Sequence, residues 1–151
     1  FASKADVFSQ ARLAAVQGLA SRIRHDRARS ESNAWPDRIR LGVTSYLNIF
    51  EQSPAFGYCF LVDLHSAGDD LVGQRQQVGD LHARALITVA ERAQAAGEDV
   101  RIPAVGEALG VVGATDELTA REIRTFGRGS QPKLSRLIEP ITQLQSAILR
   151  P

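Results

Sequence analysis

Apolar residues in this chain return every three or four positions, segment after segment, and never settle into the two-residue alternation of a strand bounded by hairpin turns. The final stretch shows it most plainly, with Leu134, Leu137, Ile138, Ile141, Leu144 and Ile148 along one helical stripe. A chain with that rhythm throughout can bury its apolar surface only helix against helix, so the fold class is all-α.

Prolines and glycines cut the pattern into six predicted helices. Ser3, with Asp6 completing a capping box, opens a first helix that carries Phe8, Val16, Leu19 and Ile23 to about Arg24. A polar loop runs from His25 to Ala34, and Pro36 suits the first turn of a second helix ending near Gln52, with Ile39, Val43, Tyr46, Leu47 and Phe50 as a wide buried stripe. Ser53-Pro54 is a cap followed by a first-turn proline, so a third helix begins there. It holds Phe56, Tyr58, Cys59, Phe60, Leu61, Val62 and Leu64, is apolar nearly all round, and is expected at the centre until Gly68 ends it. Asp69 and Asp70 favour the start of a fourth, longest helix that Gly97 stops. Pro103 introduces a fifth, from Ala104 to Phe126, with Val105, Leu109, Val112, Leu118 and Ile123. Gly106, Gly110 and Gly113 weaken it by roughly 1 kcal/mol each against alanine, and their spacing allows close helix approach. After the break at Gly127 to Ser130 comes the last helix, which Pro140 is expected to kink or interrupt.

Length and composition narrow the class further. At 151 residues the chain suits a single domain, residues 1–151, able to bury a core without staples. It is 44% apolar and 23% charged with one cysteine, and it has no run of eighteen apolar residues. The expectation is a cytoplasmic globular protein with no membrane partner. A net charge of +1 lacks the basic excess of a free-standing nucleic-acid binder. The densest basic run, Arg22, Arg24, His25, Arg27 and Arg29, is broken by Asp26 and reads as a solvated helix end, with phosphate contact the alternative. The opening on Phe1, with a helix start directly behind it, implies a preceding segment.

The residue patterns that announce catalysis do not occur: no Gly-x-Ser-x-Gly elbow, no phosphate loop ending in Gly-Lys-Ser/Thr, and no His-Glu-x-x-His pair. Cys59 sits in the most apolar segment, where a thiol is a small hydrophobe rather than a nucleophile. His65 and His82 lie near Asp63, Asp69 and Asp80 without the i, i+4 spacing of metal ligands. No enzymatic activity, metal or cofactor is therefore expected. What stands out is polar residues on apolar stripes. Arg75 and His82 interrupt the line of Leu71, Val78, Ala85 and Val89, while Ser45 and Asn48 flank the stripe of the second helix. With Tyr46, Phe56, Tyr58, Phe60 and Val78 they can line a pocket for a small apolar or amphipathic effector. The alternative for each is a satisfied place in the core.

Three stretches carry a family likeness. Phe1-Ala2-Ser3-Lys4-Ala5-Asp6-Val7-Phe8 resembles the Phe-x-Ser-Lys-x-x-Leu-Phe segment through which tetracycline-repressor (TetR) family proteins leave their DNA-recognition helix. Leu47 to Gly68, with Ser53-Pro54-Ala55-Phe56 and Leu61-Val62-Asp63-Leu64-His65, is similar to that family's proline-started helix, and Val112 to Leu118 to a stretch of its eighth helix. The resemblance implies a six-helix bundle equivalent to the family's ligand-binding domain, with the helix-turn-helix that reads operator DNA preceding Phe1. It further implies a homodimer joined by the last two helices as a four-helix bundle, and a ligand-responsive transcriptional regulator, a repressor in the usual case. Leu118, Thr119, Glu122, Leu134, Leu137, Ile138, Ile141 and Gln145 are the expected dimer-interface residues, intramolecular core being the other reading. The competing function is a helical dimerisation or protein-interaction module without a small-molecule effector.

Overall fold

The structure is a computed structural model. It describes residues 34–63, 69–127 and 131–151, and positions 10, 14, 17, 18, 21 and 25 of the first segment, with the side chains at 69–72, 74 and 75 excepted. The expected first helix and the TetR-like opening segment therefore lie almost wholly outside the described residues. His25, expected to begin a loop, is helical.

Among the described residues the fold is all-α, with no strand. Helix α1 spans Trp35–Gln52, α2 Pro54–Gly57, α3 Asp69–Ala95, α4 Val105–Phe126 and α5 Ile138–Ala147. A π-helical turn, Tyr58–Val62, extends α2, and a 3-10 turn, Leu134–Leu137, leads into α5. No helix among the described residues is long and apolar enough to cross a membrane.

The boundaries follow local chemistry, with three departures from expectation. Pro36 does stand in the first turn of α1. Ser53, expected to cap the next helix, makes no side-chain capping bond; its backbone N–H instead closes α1 on the Ile49 carbonyl. The expected third helix is a single α-turn that widens into a π-turn, where the Asp63 N–H reaches back to the Tyr58 carbonyl. Gly97 stops α3 in the left-handed region at φ 82°. Helix α4 starts at Val105 with the expected first residue, Ala104, as its N-cap; the Glu107 carboxylate accepts the Ala104 N–H at 2.8 Å and is held in place by Arg101 at 2.7 and 3.0 Å. That pairing lowers the Glu107 pKa, Arg101 being the larger cause and the Ala104 N–H the smaller. Pro140 falls on the third residue of α5, where its missing N–H costs nothing, so the interruption lies before it, at the change from 3-10 to α. The new helix start is capped from a distance: the Glu51 carboxylate of α1 accepts the Leu134 N–H at 2.6 Å and the Ser135 N–H at 3.2 Å.

One core joins all five helices. It contains Ile39, Val43, Leu47 and Phe50 of α1, Phe60 and Leu61 of the π-turn, Leu86 and Ala90 of α3, Ala108, Val112 and Ile123 of α4, and Leu134, Ile141 and Leu149 near the C-terminal end. The close approach expected at Gly106, Gly110 and Gly113 occurs instead at Gly57; a Cβ at any of those three would meet nothing within 4 Å. At Gly57 an added Cβ would lie 3.0 Å from both Ile123 and Phe50. Gly57→Ala is accordingly expected to cost about 1–3 kcal/mol through overpacking, measured as a lower urea midpoint. An unchanged midpoint would show that the π-turn yields without strain.

Candidate functional site

Polar side chains from α1, α3, α4 and α5 meet at this apolar core, Tyr46, Thr115 and Gln145 within it and His82 and Asp116 partly buried at its edge. The helical stripe of α1 that buries Val43, Leu47 and Phe50 also turns Tyr46 inward, leaving it 6% exposed, and its hydroxyl donates to Asp116 Oδ1 of α4 at 2.7 Å. On the same helix Thr115, next to Asp116, and Thr119, about one turn on, are fully buried. Their hydroxyls are satisfied within their own helix, donating to the carbonyls of Val111 at 2.9 Å and Thr115 at 2.8 Å. From α5 the buried amide of Gln145 donates through Nε2 to Thr115 Oγ1 at 3.1 Å and lies 3.5 Å from Nε2 of His82 on α3. The His82 ring in turn packs against Tyr46, with centroids 5.8 Å apart.

These bonds set the state of the histidine. A carbonyl can only accept, so the single hydroxyl hydrogen of Thr115 goes to Val111, and the end of Gln145 that faces Thr115 must be its NH2. The second hydrogen of that NH2 faces His82 Nε2 at 3.5 Å, the outer limit of a hydrogen bond, a contact that favours a lone pair on that nitrogen. That contact suits a neutral His82 with its proton on Nδ1. Burial alone works in the same direction and pushes its pKa down to about 4.

Beside this cluster runs a series of aromatic rings. Tyr46 meets Phe50 edge-on at 4.9 Å, Phe50 stacks on Phe56 at 5.9 Å, and Phe60 closes the group at 5.3 Å from Phe56 and 5.9 Å from Phe50. The result is a packed aromatic group bordering a small set of hydrogen-bonding side chains, the residue types that line small-molecule sites. Among the described residues no group of three or more His, Cys, Asp or Glu side chains is placed to hold a metal ion.

Of the residues singled out as pocket-forming, Tyr46, Phe56, Phe60 and His82 are brought together here. Ser45 is buried at 1% exposure within α1, Val78 and Tyr58 pack partly buried against the core, and Asn48 is partly buried. The Arg75 side chain lies outside the described residues. Thr115, Asp116 and Gln145 were missed as members of the site. The signal was present in α4, where Thr115 and Thr119 share a helical face with Val111, Val112 and Ile123, an otherwise apolar stripe. Cys59, expected to be core, is only partly buried.

The residues expected at a dimer interface lie mostly in the interior of one chain. Thr119, Leu134 and Ile141 are 0% exposed, Gln145 is 2% exposed, and Glu122 is buried and paired with Arg136. Leu137 and Ile138 pack partly buried against the same core. Burial that is complete within one chain leaves nothing for a partner to cover. Leu118 alone of the eight is exposed, at 37%. The apolar surface that does face outward belongs to the start of α4 and its approach: Ile102, Val105 and Leu109, with Gly106, Gly110 and Gly113 open beside them.

Comparisons of the chain with family models, with curated proteins and with solved structures return no match.

Proposed function

We propose that this chain is the effector-binding and dimerisation part of a ligand-responsive transcriptional regulator of the TetR type, acting on operator DNA through a helix-turn-helix that precedes it. The observation that carries the reading is the meeting of four helices on Tyr46, His82, Asp116 and Gln145 beside the Phe50, Phe56 and Phe60 rings. A molecule bound there touches every long helix at once. It can shift their relative positions by as much as its affinity differs between the two arrangements, typically 1–3 kcal/mol. The resemblance of the opening segment supplies the DNA-binding half of the proposal.

Thermal unfolding of the chain against a panel of small apolar and amphipathic compounds tests the effector half. A dose-dependent rise with one chemical class supports it. A flat response across the panel favours the helical interaction module.

The homodimer is proposed on the outward face of α4. Val105 and Leu109 stand one turn apart on it, and three open glycines let a second helix approach closely. Leu109→Glu is expected to weaken self-association at least about tenfold, the equivalent of about 1.4 kcal/mol, while leaving the melting temperature of the monomer unchanged. Sedimentation equilibrium reads the first quantity. A wild-type chain that stays monomeric at high concentration removes the dimer from the proposal.

A further inference from the structure

The outward face of α4 changes character along its length. Its first half presents Val105 and Leu109, 61% and 37% exposed, beside the open positions Gly106, Gly110 and Gly113. At helical spacing the same stripe then continues into Glu117, Arg121 and Arg124, all exposed. Two charges of this face are already matched: Glu117 pairs with Arg124 at 2.5 Å, and at the other end Glu107 pairs with Arg101. Arg121 past the apolar half, and Glu98 and Asp99 on the approach to α4, have no ion pair among the described residues. Arg92, another base near Glu98 in sequence, stands in the last turn of α3, where its charge offsets the carbonyl end of that helix.

A second copy of the chain can lie on this face in two directions. Side by side, the two α4 helices would set Arg121 against the second copy's Arg121 and align their dipoles, both unfavourable. Head to tail about a two-fold axis at Gly110, the apolar halves still meet and the bare glycines admit the second helix closely. The charges are then exchanged. Arg121 lies as many positions after Gly110 as Asp99 lies before it, so the axis carries Arg121 of each copy to the end where the other's Glu98 and Asp99 stand. We propose that two copies of this chain pair head to tail through α4, crossing at Gly110, with Arg121 of each copy matched to Glu98 and Asp99 of the other. The arrangement rests on the homodimer proposed above and adds its direction and its charge contacts.

Two measurements on the full chain test it. Nitroxide labels on Thr125→Cys in a Cys59→Ser background report the direction through the dipolar coupling between copies. Head to tail about Gly110 the labels stand roughly 40 Å apart or more, from a rise of about 1.5 Å per residue. Side by side they stand about 20 Å apart or less, for interaxial angles up to about 50°. Charge exchange reads the pairs. Arg121→Glu alone, and Glu98→Lys together with Asp99→Lys, are each expected to weaken self-association at least about fivefold in sedimentation equilibrium. An equimolar mixture of the two variants is expected to recover it, because every contact across the axis is then again between opposite charges. Arg121 and Asp99 are exposed and Glu98 partly so, and the melting temperature of the monomer is expected to hold. In a side-by-side dimer each reversal would exchange one like-charge contact for another. A label distance near 20 Å, or reversals without effect on association, overturns the head-to-tail arrangement and leaves the homodimer standing. Weakening in both variants without recovery in the mixture overturns the Arg121 contacts. A chain that stays monomeric throughout removes the homodimer and this arrangement with it.

Discussion

Truncating Ile141 to alanine is expected to destabilise the chain by about 2–5 kcal/mol, the range for emptying a fully buried branched site, and by the same amount at every protein concentration. Ile141 is 0% exposed and belongs to the core that also holds Leu134, Leu149 and Ile123. The void would open where α5 packs on α1, a contact fixed at one end by the Glu51 carboxylate and alongside it by the Arg40 to Glu139 ion pair. Urea titrations at two concentrations measure it. A loss that appears only on dilution would instead return Ile141 to a contact between two copies.

Acidification is expected to give the second large effect. The His82 pKa is 6.5 in the unfolded chain and about 4 in the folded one, so between those values the unfolded state binds more protons. The contribution of neutral His82 is therefore complete above about pH 6.5, declines as the pH falls toward 4, and changes no further below it. At roughly 1.4 kcal/mol per pKa unit the whole limb amounts to at most about 3.5 kcal/mol, and the partial exposure of the residue makes it smaller. The structural event is the conversion of the Nε2 lone pair into a second donor facing the Gln145 NH2. In His82→Phe this limb is expected to vanish, leaving a flatter dependence of the urea midpoint on pH from 6.5 to 4. Identical slopes in the two proteins would show that His82 is not the group responsible.

Much of this architecture was legible in the sequence because helices are written locally. The three-and-four spacing placed α1, α3, α4 and α5 to within a few residues, and Gly97 marked a true left-handed stop. What escaped depends on distant partners. Glu51 caps a turn that begins 83 residues later, so nothing near Leu134 could announce where the final helical segment starts. The glycines show the same limit: spacing pointed to Gly106, Gly110 and Gly113 as points of close approach, but Gly57 is the one pressed against neighbouring side chains. In the candidate site the aromatic residues and His82 could be picked out as oddities on apolar stripes. Asp116 and Gln145 could not, because each becomes a site residue only through a partner on another helix, Tyr46 in one case and Thr115 in the other. For the same reason an apolar stripe on the last helix reads equally well as core or as interface until the packing is known, and here the packing encloses Ile141, Leu134 and Gln145 within one chain.

The π-turn at Tyr58–Val62 has a bearing on how this sequence tolerates change in length. A ring closed from i to i+5 holds one more residue than an α-turn closed from i to i+4. The segment thus carries a spare residue directly after Gly57, where an added Cβ would press on Phe50 and Ile123. Loss of one position there can be absorbed by tightening the turn, so the reading frames of side chains on its two sides are uncoupled. The Phe50 and Phe56 rings before the turn and the long helix that presents His82 after it can for that reason change register independently of one another.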